Sequence, residues 1–482
     1  MLEINNQYTL MKRRLQTEVL KQFFDGTLEK DADKIPFIII PKDRIPNRCC
    51  IYKERAMVRY RVMAFLGIDI EREDDEMKSL SEYVKEVLAE DKPAVPVLTT
   101  ISTACSACPP NQYRVSDSCR GCFARPCIAN CPRDAINFIG GHAHIQEDRC
   151  VRCGKCMEVC PFHAVIHIPV PCEDACPVGA VKKNENGYVE IDHKMCISCG
   201  RCAVSCPFGA IVERSGVFPV LKMLKSGRPV TAMIAPAIEG QFPGTLSQIK
   251  SALLAVGFSK VVEVSRGAEV TAQHEAKELA ERKAKGEWMT TSCCPAYLEI
   301  GNKHLHYLQE KRSDAKTPMG YTADICKQED PDNYTVFIGP CLAKKVEAVR
   351  DKNVDGVISF SELAAIFMAK GIDVREMEKS DLGDTKSFED CRGFALSHGV
   401  ADSVMNRYDG PAVKVLPVNG VDKKMFTLMK VWQKRAPDAD IVEVMCCEGG
   451  CINGPGCVVK PAVAMRLRGG DKATTPVKSM SK

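Results

Sequence analysis

No stretch of this 482-residue chain approaches 18 consecutive apolar side chains, so no membrane-spanning helix is legible. Charge of one sign is lacking as well. Lys and Arg number 66 against 62 Asp and Glu, a net charge of +4, without the strongly basic patch of a dedicated nucleic-acid binder. The opening residues, MLEINNQYTLMKRRLQ, have neither the apolar core of a secretory leader nor a twin arginine. Cysteine is absent from 211–290 and nearly absent from 1–100, where only Cys49 and Cys50 occur. Yet the chain holds 27 Cys. A secreted disulfide scaffold so rich in cysteine would be short and would follow a leader. These features predict a cytoplasmic protein, kept reduced, whose cysteines mostly bind metal, with neither membrane nor nucleic acid as a partner.

The length suits about three domains at roughly 150 residues each, and the cysteines mark three zones. Residues 1–95 read as a mostly helical extension, with an apolar rhythm at Tyr8, Leu10, Leu15, Val19, Leu20 and Phe23. The stretch Asp91-Lys-Pro-Ala-Val-Pro reads as a linker. Residues 96–215 hold sixteen Cys and little apolar periodicity, which predicts folding around metals rather than around a hydrophobic core. From about 225 to 470, β-branched runs alternate with helical stretches. Strands are expected at Val230–Ile234, Lys260–Val264, Trp288–Thr291, Thr335–Ile338, Gly356–Ile358 and Ile441–Met445. Helices are expected near 245–256, 268–285 and 361–370, the last with a Ser359/Glu362 capping box. Such alternation predicts parallel α/β architecture with sites at the carboxyl ends of strands. Three Cys motifs fall there: Thr291-Ser-Cys-Cys-Pro, Gly339-Pro-Cys and Met445-Cys-Cys-Glu-Gly-Gly-Cys. Residues 471–482 read as a disordered tail. The fold expected is therefore multi-domain α+β: helical extension, ferredoxin-like domains, then an α/β domain.

Cys150, Cys153, Cys156 and Cys160-Pro161 form C-x2-C-x2-C-x3-C-P, and Cys196, Cys199, Cys202 and Cys206-Pro207 repeat it. This is the bacterial ferredoxin run, in which three Cys hold one cubane and the fourth reaches a neighbouring cluster. Structural zinc would need four thiolates in one tetrahedral cage, which the crossing fourth Cys disfavours. Cys119, Cys122, Cys127 and Cys131-Pro132 form a variant with a longer second gap. Cys172 and Cys176-Pro177 are a fragment whose missing pair the lone Cys105/Cys108 motif could supply. The tally suggests about four [4Fe-4S] clusters. One partition pairs Cys150, Cys153 and Cys156 with Cys131; Cys119, Cys122 and Cys127 with Cys160; Cys196, Cys199 and Cys202 with Cys176; and Cys105 and Cys108 with Cys172 and Cys206. The alternative leaves Cys105 and Cys108 as packing or a zinc half-site.

In the last zone Cys294, Cys341, Cys447 and Cys451 come from three separate βα segments, and four converging thiolates can hold a further cubane. Gly449 and Gly450 would let backbone approach a bulky inorganic group. Thr291-Ser-Cys-Cys-Pro-Ala-Tyr, Pro340-Cys-Leu-Ala-Lys-Lys-Val-Glu and Glu443-Val-Met-Cys-Cys-Glu-Gly-Gly-Cys resemble the three signature motifs of [FeFe]-hydrogenases. The resemblance spans roughly 229–460. It implies a two-lobed domain carrying the H-cluster, a [4Fe-4S] cubane joined to a diiron subsite bearing CO, cyanide and azadithiolate. By that resemblance Cys294, Cys341, Cys447 and Cys451 hold the cubane, and Cys451 bridges it to the diiron unit. Lys344 pairs with one cyanide, the backbone of Ala235-Pro236-Ala237 holds the other, and Met445 packs the pocket. Cys293 is the proton-exchanging thiol, with Glu275, Glu278 and Ser313 as its relay. On spacing alone, Glu275 and Glu278 share one helix face that would ordinarily be solvated.

The chain departs from the usual pattern at four places. Tyr297 stands where Trp is usual, and Gly339 where a Met precedes Pro-Cys. Cys446 stands where Ala is common, and Gly454-Pro-Gly-Cys457 replaces a Gly-rich run. These changes resemble the less-studied second group of the family, as does the extension containing Arg48-Cys-Cys-Ile-Tyr-Lys-Glu-Arg. Cys326 and Cys391 read as packing. The resemblance implies a hydrogenase, an oxidoreductase interconverting protons, electrons and H2. Its electrons would pass through the accessory clusters to or from ferredoxin or another low-potential carrier, and its diiron site would need maturation enzymes. Three alternatives stand beside it: an H2-sensing regulator, a non-enzymatic iron–sulfur assembly protein without the diiron site, and a plain polyferredoxin.

Overall fold

The computed structural model describes residues 6–90, 95–381, 383 and 388–468. The tail 471–482 and most of the expected linker lie outside the described residues. The N-terminal zone is helical, as its apolar rhythm predicts, with helices at Gln7–Phe24, Ile51–Phe65 and Leu80–Ala89. Its buried side chains do not form a core of their own. Leu15, Val19, Leu20, Val58 and Val62 join one continuous apolar cluster with Phe218, Val230 and Ile338 of the last zone. Arg13 caps that contact by donating to the Val458 carbonyl at 2.7 Å.

The Cys-rich zone consists of short antiparallel pairs. Leu98–Thr100 pairs with Ile211–Glu213, Gln112–Val115 with Val165–Ile168, Ile136–Ile139 with His142–Ile145, and Val181–Lys183 with Val189–Ile191. The expectation that this zone lacks a hydrophobic core is corrected here. Val97, Leu98, Ile101, Val170, Val181, Ile191 and Ile211 are buried together with Cys172, Cys176, Cys202 and Cys206. Two-residue alternation in strands of three or four residues is too short to register as periodicity.

The last zone is α/β, and its strands are β1 (Val230–Ile234), β2 (Lys260–Glu263), β3 (Met289–Thr290), β4 (Tyr334–Gly339), β5 (Gly356–Ser359), β6 (Val415–Asn419) and β7 (Ile441–Met445). They form two all-parallel sheets, one ordered β2-β1-β4-β5 and the other β3-β7-β6. The chain is thus a mixed α/β multi-domain protein. Strand β6 escapes sequence reading because Pro417 interrupts it, and it is tolerated because β6 is an edge. The Ser359/Glu362 capping box is present and starts the helix Phe360–Lys370. The helices that matter for the site are α1 (Ser265–Ala284), α2 (Pro295–Lys303), α3 (Pro318–Glu329) and α4 (Ala343–Arg350). Among the described residues no helix is long and apolar enough to cross a membrane.

Candidate metal centres and proton route

The four Cys-Pro motifs share one local fold. Cys131, Cys160, Cys176 and Cys206 are each followed, three residues on, by a residue with positive φ: Asp134, His163, Gly179 and Gly209. The next N–H, from Ala135, Ala164, Ala180 or Ala210, donates back to the cysteine Sγ at 3.2–3.5 Å. The fragment at Cys176 is therefore built like the complete runs. The C-x2-C loops repeat a second device. Gly121, Arg152 and Ser198, each immediately before the second Cys, have positive φ, and so does Ala107 before Cys108. A left-handed residue there turns two successive thiols to one side. The lone Cys105/Cys108 pair thus has the local form of the full motifs, which a residue serving only as packing does not need.

The thiols gather in groups that cross between motifs. Cys131, Cys150, Cys153 and Cys156 line one cavity. Cys127 is pushed above the ordinary thiol range by burial and by its neighbours Cys160 and Cys122. Burial and Cys206 push Cys172 up to about 11. Cys202 is pushed well up by burial and by Cys199, Cys196 and Cys176. Cys105 and Cys108 pack against the apolar cluster that contains Cys172 and Cys206.

The carboxyl ends of four parallel strands converge on one mostly apolar cavity of about 90 Å³. β1 delivers Ala235, Pro236 and Ala237; β3 delivers Cys293 and Cys294; β4 delivers Cys341; β7 delivers Met445, Cys446, Cys447 and, through the Gly-Gly turn, Cys451. Gly450 has φ +95, and a Cβ there would lie 2.6 Å from the Ala395 carbonyl oxygen, so only glycine permits this approach. Burial and mutual repulsion raise the thiols of Cys341, Cys447 and Cys451, with Cys341 at about 11. Cys294 is the exception. It is held down to about 6, chiefly by a hydrogen bond from the Cys446 thiol. Four soft sulfur donors in an apolar chamber suit an iron–sulfur cubane and not a hard, oxygen-seeking cation.

Lys344, on α4, lines the same cavity and is buried. Its Nζ donates to Thr317 Oγ1 at 2.8 Å and Glu347 Oε2 at 2.7 Å. Tyr297 fills the space of the usual Trp and hydrogen-bonds Thr290 Oγ1 at 2.7 Å. Cys326 and Cys391 are buried at 2% and 0% exposure, away from the cavity lining.

Glu275 does not lie on a solvated helix face. It is fully buried on α1, beside β3, and burial raises its carboxyl to about 7. Its Oε1 accepts from Ser292 N–H and Oγ. Cys293 follows Ser292 directly, and burial, Glu275 and Cys294 push its thiol well up. Glu278 is held by Arg282, whose Nε donates to its Oε1 at 2.7 Å, and by the Asp314 N–H. Ser313 is buried, but its Oγ accepts from Ala315 N–H and bonds neither carboxylate among the described residues. Sequence reasoning missed Ser292, Arg282 and the nearness of Cys199, which lines the catalytic cavity. Arg282 was open to detection, standing four residues after Glu278 on one helix. Ser292 had no such signal beyond its place beside Cys293.

Residues 228–455 match the family described as the iron only hydrogenase large subunit, C-terminal domain. Residues 143–166 match a 4Fe-4S binding domain, and 166–217 the LdpA Fe-S cluster-binding domain. The periplasmic [Fe] hydrogenase large subunit of Nitratidesulfovibrio vulgaris is 29% identical over 402 residues, covering 71% of this chain and 90% of that protein. Iron hydrogenase 1 of Clostridium pasteurianum is 27% identical over 257 residues, covering 43% of this chain and 45% of that one. The cytosolic Fe-S cluster assembly factor NAR1 of Eremothecium gossypii is 23% identical over 265 residues, 42% of this chain and 59% of that protein. With its strand-end thiols and its iron–sulfur-binding segments, the chain carries the C-terminal domain of the iron-only hydrogenase large subunit family and is a distant homologue of the [FeFe]-hydrogenases.

Proposed function

We propose that this protein is a cytosolic [FeFe]-hydrogenase interconverting protons, electrons and H2. The observation that carries the reading is the convergence of Cys294, Cys341, Cys447 and Cys451 on one cavity that also holds Cys293 and Lys344. When bound, the H-cluster supplies the redox step and a bridgehead amine able to exchange protons. Cys294, Cys341, Cys447 and Cys451 hold its cubane, with Cys451 as the bridge to the diiron unit. Lys344 offers its ammonium to one cyanide, and the backbone of Ala235–Ala237 holds the other. Met445 and Phe337 exclude water from the chamber. Cys293 exchanges a proton at Sγ, Glu275 stores it at a carboxyl oxygen, and Glu278 passes it towards solvent. About four accessory cubanes conduct electrons between the Cys199 cluster and a ferredoxin-like carrier, and dedicated maturation enzymes insert the diiron unit.

The match to NAR1 favours a second reading, an iron–sulfur assembly factor without the diiron unit. Infrared spectroscopy of the matured protein separates the two. Hydrogenase predicts CO and cyanide stretches together with H2 turnover. Cys451→Ala should abolish those bands and leave the accessory-cluster signals. An iron-loaded protein that shows no such bands after maturation would overturn the hydrogenase reading. Bands without turnover would point instead to an H2 sensor.

A further inference from the structure

Cys446 is left over from the ligand set, yet it is more deeply buried than the cysteines assigned as ligands around it, at 3% exposure. It ends β7, lines the catalytic cavity, and offers its thiol to the sulfur of Cys294. The backbone N–H of Cys446 adds a second, weaker contribution to the same sulfur. Beyond Cys294, the cysteines whose fields Cys446 feels most are Cys199 and then Cys447. Cys446 therefore stands between a ligand of the catalytic cubane and a ligand of the nearest accessory cluster. A side chain of this size needed only for packing would do as well without a polar atom, as the Ala common at this position does.

A thiol is a weak donor. The sulfur it reaches is nevertheless where the added electron of a reduced cubane is felt, and hydrogen bonds to cluster sulfurs are among the factors that set cluster potential. Donation to a ligating thiolate withdraws charge from the cluster. It stabilises the more negative, reduced form in a chamber otherwise poor in polar groups.

We propose that Cys446 is a positioning residue for electron entry: its S–H, directed at the Cys294 thiolate, raises the reduction potential of the catalytic cubane relative to the accessory cubane held by Cys176, Cys196, Cys199 and Cys202. One electron leaves the accessory cubane, which is oxidised, and enters the catalytic cubane, which is reduced; no bond forms or breaks. The proposal rests on the reading of Cys294, Cys341, Cys447 and Cys451 as cubane ligands.

The test is a redox titration of the full-length protein reconstituted with iron and sulfide, followed by electron paramagnetic resonance. Cys294→Ala identifies the catalytic component, because it should remove that signal and lower the iron content by about four. Cys446→Ala and Cys446→Val, the second preserving most of the volume, should keep full iron and move the same component to lower potential. Cys446→Ser, which retains a donor, should restore the potential at least in part. An unmoved potential in both apolar variants overturns the proposal. So does a loss of about four iron in both, which would make Cys446 a ligand. If Cys294→Ala keeps all its iron, the underlying ligand assignment is wrong, and that failure is distinct from the other two.

Discussion

Ser292 holds a single oxygen of Glu275 twice, through its N–H at 2.8 Å and its Oγ at 2.9 Å, while the other oxygen, Oε2, is buried without a hydrogen-bond partner among the described residues. A carboxylate so placed is short of donors, and the proton supplies what is missing. The carboxyl sits at about 7 in the folded chain against 4.5 for the free group. Between those values the folded chain holds a proton that the unfolded chain has released. The favourable contribution is therefore fully present below about pH 4.5 and is lost as the pH rises through 7, on the order of 3 kcal/mol in all. The expected outcome is an infrared band of a protonated carboxyl that fades as pH rises through neutrality and is absent in Glu275→Gln. The thermal midpoint should also fall less steeply with pH in that variant.

The relay itself is tested at Cys293. The thiol adjoins a ligand but should not bind iron, since successive residues of an extended segment point to opposite sides. Cys293→Ala should leave iron content and infrared bands nearly intact and lower turnover by about 10²-fold or more, as for a lost acid–base group. Glu275→Gln and Glu278→Gln should fall in the same direction. Because Ser292 and not Ser313 bonds Glu275, Ser292→Ala should displace the carboxyl band more than Ser313→Ala does. Wild-type rates in the Cys293 and Glu variants together would mean that protons enter elsewhere.

Iron content tests the accessory clusters. Four accessory cubanes and an H-cluster require about 22 Fe per chain, and three accessory cubanes about 18. The shared backbone form of the Cys105/Cys108 loop favours the larger number. Replacing both residues by Ser should remove about four Fe and one cubane signal. An unchanged iron count would return this pair to a packing role.

Phe337 accounts for Gly339. Two residues apart on β4, they share a face, and a Cβ at 339 would lie 2.4 Å from a Phe337 ring carbon. The ring takes room that a methionine side chain would otherwise need, so the departure at 339 and the aromatic at 337 are one change. Gly339→Ala should destabilise by about 1–3 kcal/mol through overpacking, read as a lowered thermal midpoint. Pairing it with Phe337→Leu should recover much of the loss, a coupling expected of residues in contact. Independent, additive effects would disconnect the two positions.

The sequence by itself determined what depends on near neighbours along the chain. Each C-x2-C loop and Cys-Pro turn takes its backbone form from a few adjacent residues, so the spacing of the motifs was enough to read iron–sulfur segments. The Ser359/Glu362 cap was legible for the same reason. Strand–helix alternation placed Thr291-Ser-Cys-Cys-Pro, Gly339-Pro-Cys and the Met445 motif at strand ends, because parallel sheets permit few topologies. Only the tertiary structure decided what depends on distant segments. Glu275 has the sequence setting of a solvated residue, and it is buried because α1 packs beside β3. Cys446 reads as an ordinary buried thiol until Cys294, 152 positions earlier in the sequence, is brought to it on a neighbouring strand end. The N-terminal helices look independent until Leu15 and Val19 join the core of the last zone. Local conformation is set by steric and hydrogen-bonding contacts a few residues apart, whereas these encounters follow from strand pairing and apolar burial across the whole chain.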